Sequence, residues 1–168
     1  ARLKAPVILM SGPWEFGFTN PREMGAVAQS LAATIPAQAA LHLDHGESLE
    51  RVEACLAAGY SSVMLDFSTL PFEENIAITR KIVEIAHAFG IPVEAELGKI
   101  PDVGQSVNWE DYYTDVEEAR RFVAETGIDY LAISVGIVHG VVPGIPLEPI
   151  NIQRIKDFTQ DFEEREAA

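Results

Sequence analysis

Three polar residues in the segment LHLDHG could carry out proton transfer and metal binding. They are His42, Asp44 and His45, and they lie within residues 39–46, whose composition predicts a β-strand. Carboxylates act as general acids and bases, and imidazoles are common ligands of zinc. Polar groups are costly inside a buried strand unless a partner binds them, so this segment is the first place to expect an active site.

Polar residues also lie toward the carboxyl ends of the next three predicted strands or in the loop that follows. They are Asp66, Ser68, Glu94, Glu96 and His139. The carboxyl ends of parallel strands meet at one edge of an α/β fold, where such folds build their sites. Two imidazoles and several carboxylates at one edge predict a divalent-metal site, with zinc favoured by the histidines. One carboxylate would remain free as a general acid or base.

Each of these residues alone also has a simpler structural interpretation. A lone histidine in a strand, such as His42, is usually part of a hydrogen-bonded core or surface. An aspartate at a strand end, such as Asp66, is often the N-cap of the following helix. We interpret His87, within a predicted helix between Ala86 and Ala88, as structural. The repetition of polar strand ends on four successive strands favours a shared site.

Five consecutive strand–helix units are predicted to position these residues. Apolar, β-branched segments alternate with longer amphipathic segments that carry helix-capping residues. The predicted strands are 6–12, 39–46, 61–68, 91–98 and 129–136. The predicted helices begin at Pro21, cover 48–58 and 72–89, begin again near Asp115, and cover 150–160. The first helix has an apolar stripe formed by Met24, Val27, Ala28 and Leu31.

The absence of any hairpin signal between these strands predicts a parallel sheet with helices outside it. Two architectures fit this α/β pattern, an open doubly wound sheet and part of a (β/α)8 barrel. No Gly-rich phosphate fingerprint follows the first strand, which disfavours a dinucleotide-binding sheet.

Length and charge narrow the class of protein. With 168 residues and 48% hydrophobic residues, the chain predicts a single globular domain over 1–168. A formal charge of −14 argues against nucleic acid or an anionic membrane as partner. No apolar segment has the length of a membrane helix, and we expect no signal peptide. The single Cys55 fits a reducing compartment, so we expect a cytoplasmic protein.

The sequence closely resembles the class II, metal-dependent fructose-bisphosphate aldolases, a family that includes the tagatose-bisphosphate aldolases. The resemblance covers about residues 5–158, and the motifs LHLDHG, LPFEENI and VEAELG together are specific to the family. The segment YYTDVEEARRFVAETGIDYLAISVGIVHG supports it further. The resemblance implies that the five units are strands two to six of a (β/α)8 TIM barrel.

The resemblance also implies roles for individual residues. Asp44 would move the proton of the hydroxyl on the cleaved carbon, while His42 would support the site. The residues implied at the metal are His45, His139, Asp66 and Glu96. The residues implied at the substrate are Ser68 and Gly140. The implied protein is a zinc-dependent or other divalent-metal aldolase that acts on a phosphorylated ketose and forms homo-oligomers.

Several departures from the family pattern concern the substrate pocket. The chain has no match to the Gly-rich HGGSG segment that carries the family's third zinc histidine, nor to strands one and eight. Phe67 and Thr69 replace a glycine and a histidine, and Ile137-Val138 replaces a Gly-Thr pair. The loop after VEAELG is also different. We expect that the sequence belongs to a longer chain or that other chains cover its sheet edges.

Two alternative functions remain at this point. The first is a non-catalytic relative of the aldolases that binds a ligand or a partner. The second is Schiff-base chemistry at Lys99, which follows the fourth predicted strand.

Overall fold

A computed structural model of the chain describes residues 5–101, 108–136, 138–139 and 153–159. The strands are β1 (Val7–Ser11), β2 (Ala39–Gly46), β3 (Ser62–Leu65), β4 (Val93–Leu97) and β5 (Tyr130–Ile133). The helices are α1 (Pro21–Ala32), α2 (Leu49–Ala57), α3 (Phe72–Ala88) and α4 (Val116–Thr126), with short 3-10 turns at Glu15–Gly17 and Trp109–Asp111. Residues 153–159 are also helical. All five predicted strands and all five predicted helices are therefore confirmed; β2 has the predicted bounds, several other elements are shorter than predicted, and the predicted ends of the last helix lie outside the described residues.

The sheet has the sequential strand order β1-β2-β3-β4-β5, and the three pairings from β1 to β4 are parallel. The chain divides into two compact units. The first contains Ala1–Glu96 and Thr126–Leu131, and the second contains Leu97–Glu125 and Ala132–Ala168. The expectation of a single domain stays a prediction, and the units are described separately below.

The two faces of the first unit's sheet have different characters. Leu43, Val63 and Val93 are register partners on one face, and each is fully buried. Alternation places the polar residues His42 and Glu94 on the opposite face. One face therefore forms the apolar core beneath the helices, while the other face carries the residues that could do chemistry.

The helix starts follow the capping residues of the sequence. The Asn20 side chain accepts the Glu23 N–H at 3.0 Å, and the Ser48 side chain accepts the Arg51 N–H at 3.2 Å. The Asp115 carboxylate caps α4 by accepting two backbone N–H groups. Among the described residues, no helix is both long enough and apolar enough to cross a membrane.

The prediction for the apolar face of α1 was wrong in part. Val27 and Leu31 are 55% and 54% exposed, whereas Gly25 and Ala28 are buried. A Cβ atom on Gly25 would collide with the carbonyl oxygen of Ala58, at the end of α2. This close approach, rather than the larger side chains, decides which face of α1 is buried.

Buried hydroxyl groups organise the second unit. Thr114 is 1% exposed, and its hydroxyl donates to the Leu97 carbonyl and accepts the Ser134 N–H. The Ser134 hydroxyl donates to the Lys99 carbonyl at 2.8 Å. Arg154 stacks over the ring of Tyr113 and donates to the Thr114 carbonyl. These contacts fix the backbone that follows β4.

An extra residue interrupts the pairing of β2 with β3. Leu43 pairs with Val63, but the next pair is Gly46 with Leu65, so β2 uses three steps where β3 uses two. Within this β-bulge His45 has a φ of 50°, in the left-handed region that non-glycine residues seldom adopt. The bulge lies at the carboxyl end of β2, next to Asp44.

We predict that Gly46→Ala destabilises the protein. A Cβ atom at this position would lie 2.8 Å from the Met64 carbonyl oxygen and 2.9 Å from a methyl group of Leu43. Crowding of this kind costs about 1–3 kcal/mol of unfolding free energy, which urea denaturation measures. Gly17→Ala is the matched control, since nothing lies within 4 Å of its Cβ position. Equal unfolding free energies for the two variants would contradict the tight fit at the bulge.

Candidate metal and proton-transfer site

The bulge in β2 determines where the imidazole of His45 lies. In a regular strand the side chains of Asp44 and His45 would point to opposite faces of the sheet. The extra residue and the left-handed φ of His45 change this, because bulges re-aim side chains. The Nδ1 atom of His45 lies 3.0 Å from Oδ2 of Asp66. The hydrogen bond to Asp66 outweighs partial burial and raises the pKa of His45 to about 8.

Asp66 lies in the turn between β3 and α3, and it is not a helix cap. The N-cap of α3 is Pro71, so the simpler interpretation of Asp66 as an N-cap is wrong. Burial opposes ionisation of Asp66, but hydrogen bonds from His45 and from Ser68 outweigh it and lower its pKa to about 2. Asp66 is therefore a carboxylate at neutral pH, with both of its oxygens in contact with donors.

Glu96 supplies the third polar group of this region. It lies near the carboxyl end of β4 and is only 2% exposed. Burial, reinforced by the nearby charge of Asp66, raises the pKa of Glu96 to about 7. Hydrogen bonding to Ser68 and the charge of His45 act in the opposite direction. The strand therefore carries a carboxyl group that is protonated and deprotonated close to neutral pH.

Two buried polar residues that the sequence analysis did not single out hold the backbone at Glu96. The Asn75 side-chain amide donates to the Glu96 carbonyl at 3.3 Å, and the Thr79 hydroxyl donates to the Asn75 side-chain oxygen at 3.0 Å. Both residues are at most 2% exposed. Their i, i+4 spacing on the buried face of α3, beside Ile76, was the signal that could have identified them.

Ligand atoms of His45, Asp66 and Glu96 all lie within 4.8 Å of one another. One imidazole nitrogen and two carboxylate oxygens suit a divalent cation of intermediate hardness, and zinc accepts both kinds of ligand. A cation would also favour the ionised form of Glu96, whose pKa is raised by burial and, to a smaller extent, by the nearby charge of Asp66. The residues present therefore fit a divalent metal ion.

Asp44 is half-buried and directly precedes His45, so it lies beside the metal-binding cluster. Asp66 and Glu96 both belong to the cluster, whereas Asp44 does not. His42 lies two residues before Asp44 on the same face of β2. Its Nδ1 contacts the Ser62 hydroxyl at 2.7 Å, and its Nε2 lies 3.7 Å from Glu94. Burial lowers the pKa of His42 against the charges of Glu94 and Asp44.

The remaining predicted site residues belong to the second unit. His139 is exposed, and its backbone N–H donates to the Pro101 carbonyl at 3.0 Å. Its role as a metal ligand stays a prediction. Gly140, predicted to contact substrate, lies outside the described residues. Lys99 is exposed, whereas Schiff-base lysines ordinarily depend on a desolvated pocket, so its surroundings give that hypothesis no support.

Comparison with known sequences identifies the family. The family model described as fructose-bisphosphate aldolase class-II matches residues 1–163, and the chain belongs to this family. It is 40% identical over 149 residues to the D-tagatose-1,6-bisphosphate aldolase subunit GatY of Klebsiella oxytoca, covering 87% of this chain and 52% of that protein. It is 46% identical over 123 residues to the 6-phospho-5-dehydro-2-deoxy-D-gluconate aldolase of Shouchella clausii strain KSM-K16, covering 73% and 41%. The chain thus spans about half the length of these curated relatives.

Solved structures show the same fold. The YdjI aldolase of Escherichia coli K12 superimposes with a TM-score of 0.79 and 33% identity, covering 95% of this chain and 54% of that one. The fructose-bisphosphate aldolase of Campylobacter jejuni has a TM-score of 0.74 at 24% identity, covering 97% and 55%, which supports the fold alone. The architecture is that of a (β/α)8 barrel, of which five consecutive strands are present here.

We predict that the metal-free protein loses stability as the pH rises from about 4.5 to 8. The unfolded chain releases the Glu96 proton near 4.5, but the folded chain holds it to about 7, so unfolding becomes easier across this interval. The His45 proton adds a second decrease between 6.5 and about 8. For Glu96 the change amounts to at most about 3 kcal/mol.

Urea denaturation in EDTA at several pH values measures this effect. Glu96→Gln is expected to flatten the lower part of the pH dependence, because its amide does not titrate. The control is Glu94→Gln, which removes a carboxylate on the same face of β4. A decrease in stability between about pH 4.5 and 6.5 that survives in Glu96→Gln would show that another group causes it.

Proposed function

We propose that the protein is a zinc-dependent aldolase that cleaves and forms a carbon–carbon bond of a phosphorylated ketose. The observation that carries this proposal is the juxtaposition in β2 of Asp44, a carboxylate outside the metal-binding cluster, with His45, which belongs to it. Membership of the class II fructose-bisphosphate aldolase family and the names of the relatives support it.

The zinc ion would be held by His45 together with the carboxylates of Asp66 and Glu96. We further propose His139 of the second unit as a ligand. When bound, the ion supplies positive charge that polarises the ketone carbonyl of the substrate. Burial of Glu96 and the hydrogen bonds of Asp66 keep these side chains in place before the metal enters.

Asp44 would act as the general base for cleavage. Its carboxylate takes the proton from the hydroxyl on the carbon that is being separated, and that carbon becomes an aldehyde. The electron pair of the broken bond passes to the carbon beside the polarised ketone. In the condensation direction Asp44 returns the proton to the new hydroxyl oxygen. Its half-buried position leaves it accessible to a substrate.

The substrate class follows from the relatives and the predicted contacts. The two curated relatives are named for D-tagatose 1,6-bisphosphate and for 6-phospho-5-dehydro-2-deoxy-D-gluconate, which are both phosphorylated ketones. We propose a substrate of this kind, with Gly140 and the turn at Ser68 near it. The homo-oligomeric assembly and the cytoplasmic location expected from the sequence stay predictions.

Two substitutions separate metal binding from proton transfer. His45→Ala is expected to abolish stoichiometric zinc binding, measured by equilibrium dialysis, because it removes the imidazole that the described cluster supplies. Asp44→Asn is expected to retain zinc and to lower aldol cleavage of D-tagatose 1,6-bisphosphate about 10²- to 10⁴-fold, the usual effect of losing a general base. His87→Ala is the control, since His87 contacts Asp129 rather than the cluster.

The two measurements also test the competing function. Zinc binding without cleavage of any phosphorylated ketose would favour a non-catalytic, ligand-binding relative. Absence of zinc binding in the wild-type protein would contradict the proposed aldolase mechanism outright. Full activity in Asp44→Asn would assign the proton transfer to another group.

A further inference from the structure

The hydroxyl of Ser68 is already engaged by a residue of the metal-binding cluster. It donates to Oδ1 of Asp66 at 2.7 Å, and the Ser68 backbone N–H donates to the same oxygen at 3.1 Å. The other oxygen of Asp66 faces Nδ1 of His45 at 3.0 Å. Ser68 therefore fixes one side of the carboxylate while His45 occupies the other.

The second carboxyl group of the cluster lies close to this pair, since ligand atoms of His45, Asp66 and Glu96 all fall within 4.8 Å of one another. Burial and the nearby charge of Asp66 raise the pKa of Glu96, whereas the charge of His45 lowers it. Ser68 therefore fixes the orientation of the carboxylate that lies next to Glu96 in the cluster.

A substrate phosphate would have to compete with Asp66 for the proton of the Ser68 hydroxyl. A serine hydroxyl has one proton to donate, and carboxylates accept it more strongly than neutral groups do. Phosphate and carbonyl oxygens of a substrate are acceptors, so they would compete with Asp66 for the same proton. The geometry therefore favours a role for Ser68 as a hydrogen-bond partner of the metal-ligating Asp66, rather than the direct substrate contact predicted from the sequence.

We infer that Ser68 is a positioning residue that holds the Asp66 carboxylate beside His45 and Glu96 and thereby sets the affinity of this site for divalent metal. This inference rests on the proposed function, because it assumes that the cluster binds a metal ion. Ser68 is not itself one of the three residues whose ligand atoms form the cluster. Partners of metal-ligating carboxylates typically contribute about 10- to 100-fold to metal affinity.

The test compares Zn²⁺ affinity across substitutions at this position. Ser68→Ala is expected to weaken Zn²⁺ binding about 10- to 100-fold and to alter the visible absorption spectrum of the Co²⁺-substituted protein. Ser68→Thr, which keeps a hydroxyl, is expected to bind much more tightly than the isosteric Ser68→Val. The control is Thr69→Ala, an exposed neighbour in the same turn. The Thr–Val comparison keeps the test decisive even where Ser68→Ala folds poorly.

Comparing KM with Zn²⁺ affinity distinguishes a role of Ser68 in metal binding from a role in substrate binding. At saturating Zn²⁺ the KM of Ser68→Ala for D-tagatose 1,6-bisphosphate is expected to stay close to the wild-type value. A raised KM with unchanged Zn²⁺ affinity would overturn the inference and assign Ser68 to the substrate. Wild-type protein that binds Zn²⁺ but cleaves nothing would instead count against the proposed reaction, and the affinity comparison would still decide the role of Ser68.

Discussion

The bulge at the end of β2 is the constraint on which the site depends. Regular pairing would place His45 on the helix-covered face, away from Asp66 and Glu96. The extra residue and the φ of 50° at His45 bring its imidazole to within 3.0 Å of Asp66 instead. The proton transfer proposed for Asp44 and the metal binding proposed for His45 would then take place side by side, although the two residues are adjacent in sequence.

Around this bulge, hydrogen bonds hold the carboxylate of Asp66 and the backbone at Glu96. Asp66 is held by His45 and Ser68, and the strand end at Glu96 is held through its carbonyl by Asn75. Within the described residues, no buried side-chain nitrogen or oxygen lacks a hydrogen-bond partner. A negative charge on Glu96 is unfavourable at this edge, because burial and the charge of Asp66 raise its pKa to about 7. Close carboxylates with one imidazole form an environment that suits a divalent cation.

Much of this arrangement is predictable from the sequence, because it depends on local rules. Capping at Asn20 and Ser48 and the bounds of β2 follow from residue type and periodicity. The buried face of α1 does not, since it is decided by the approach of Gly25 to a carbonyl 33 residues later, at Ala58. The hydrogen bond from Asn75 to the backbone of β4 depends on tertiary packing in the same way.

The left-handed conformation of His45 limits which sequence changes in the bulge are compatible with the site. A non-glycine residue in this region costs about 1–3 kcal/mol, so deletion of one residue from the bulge would regularise the strand and relieve that strain. The deletion would leave a single residue between Leu43 and Gly46, so Asp44 and His45 could not both be kept. Folding stability and the proposed chemistry therefore make opposite demands on this bulge, because relieving its strain removes one of the two adjacent residues that the chemistry requires.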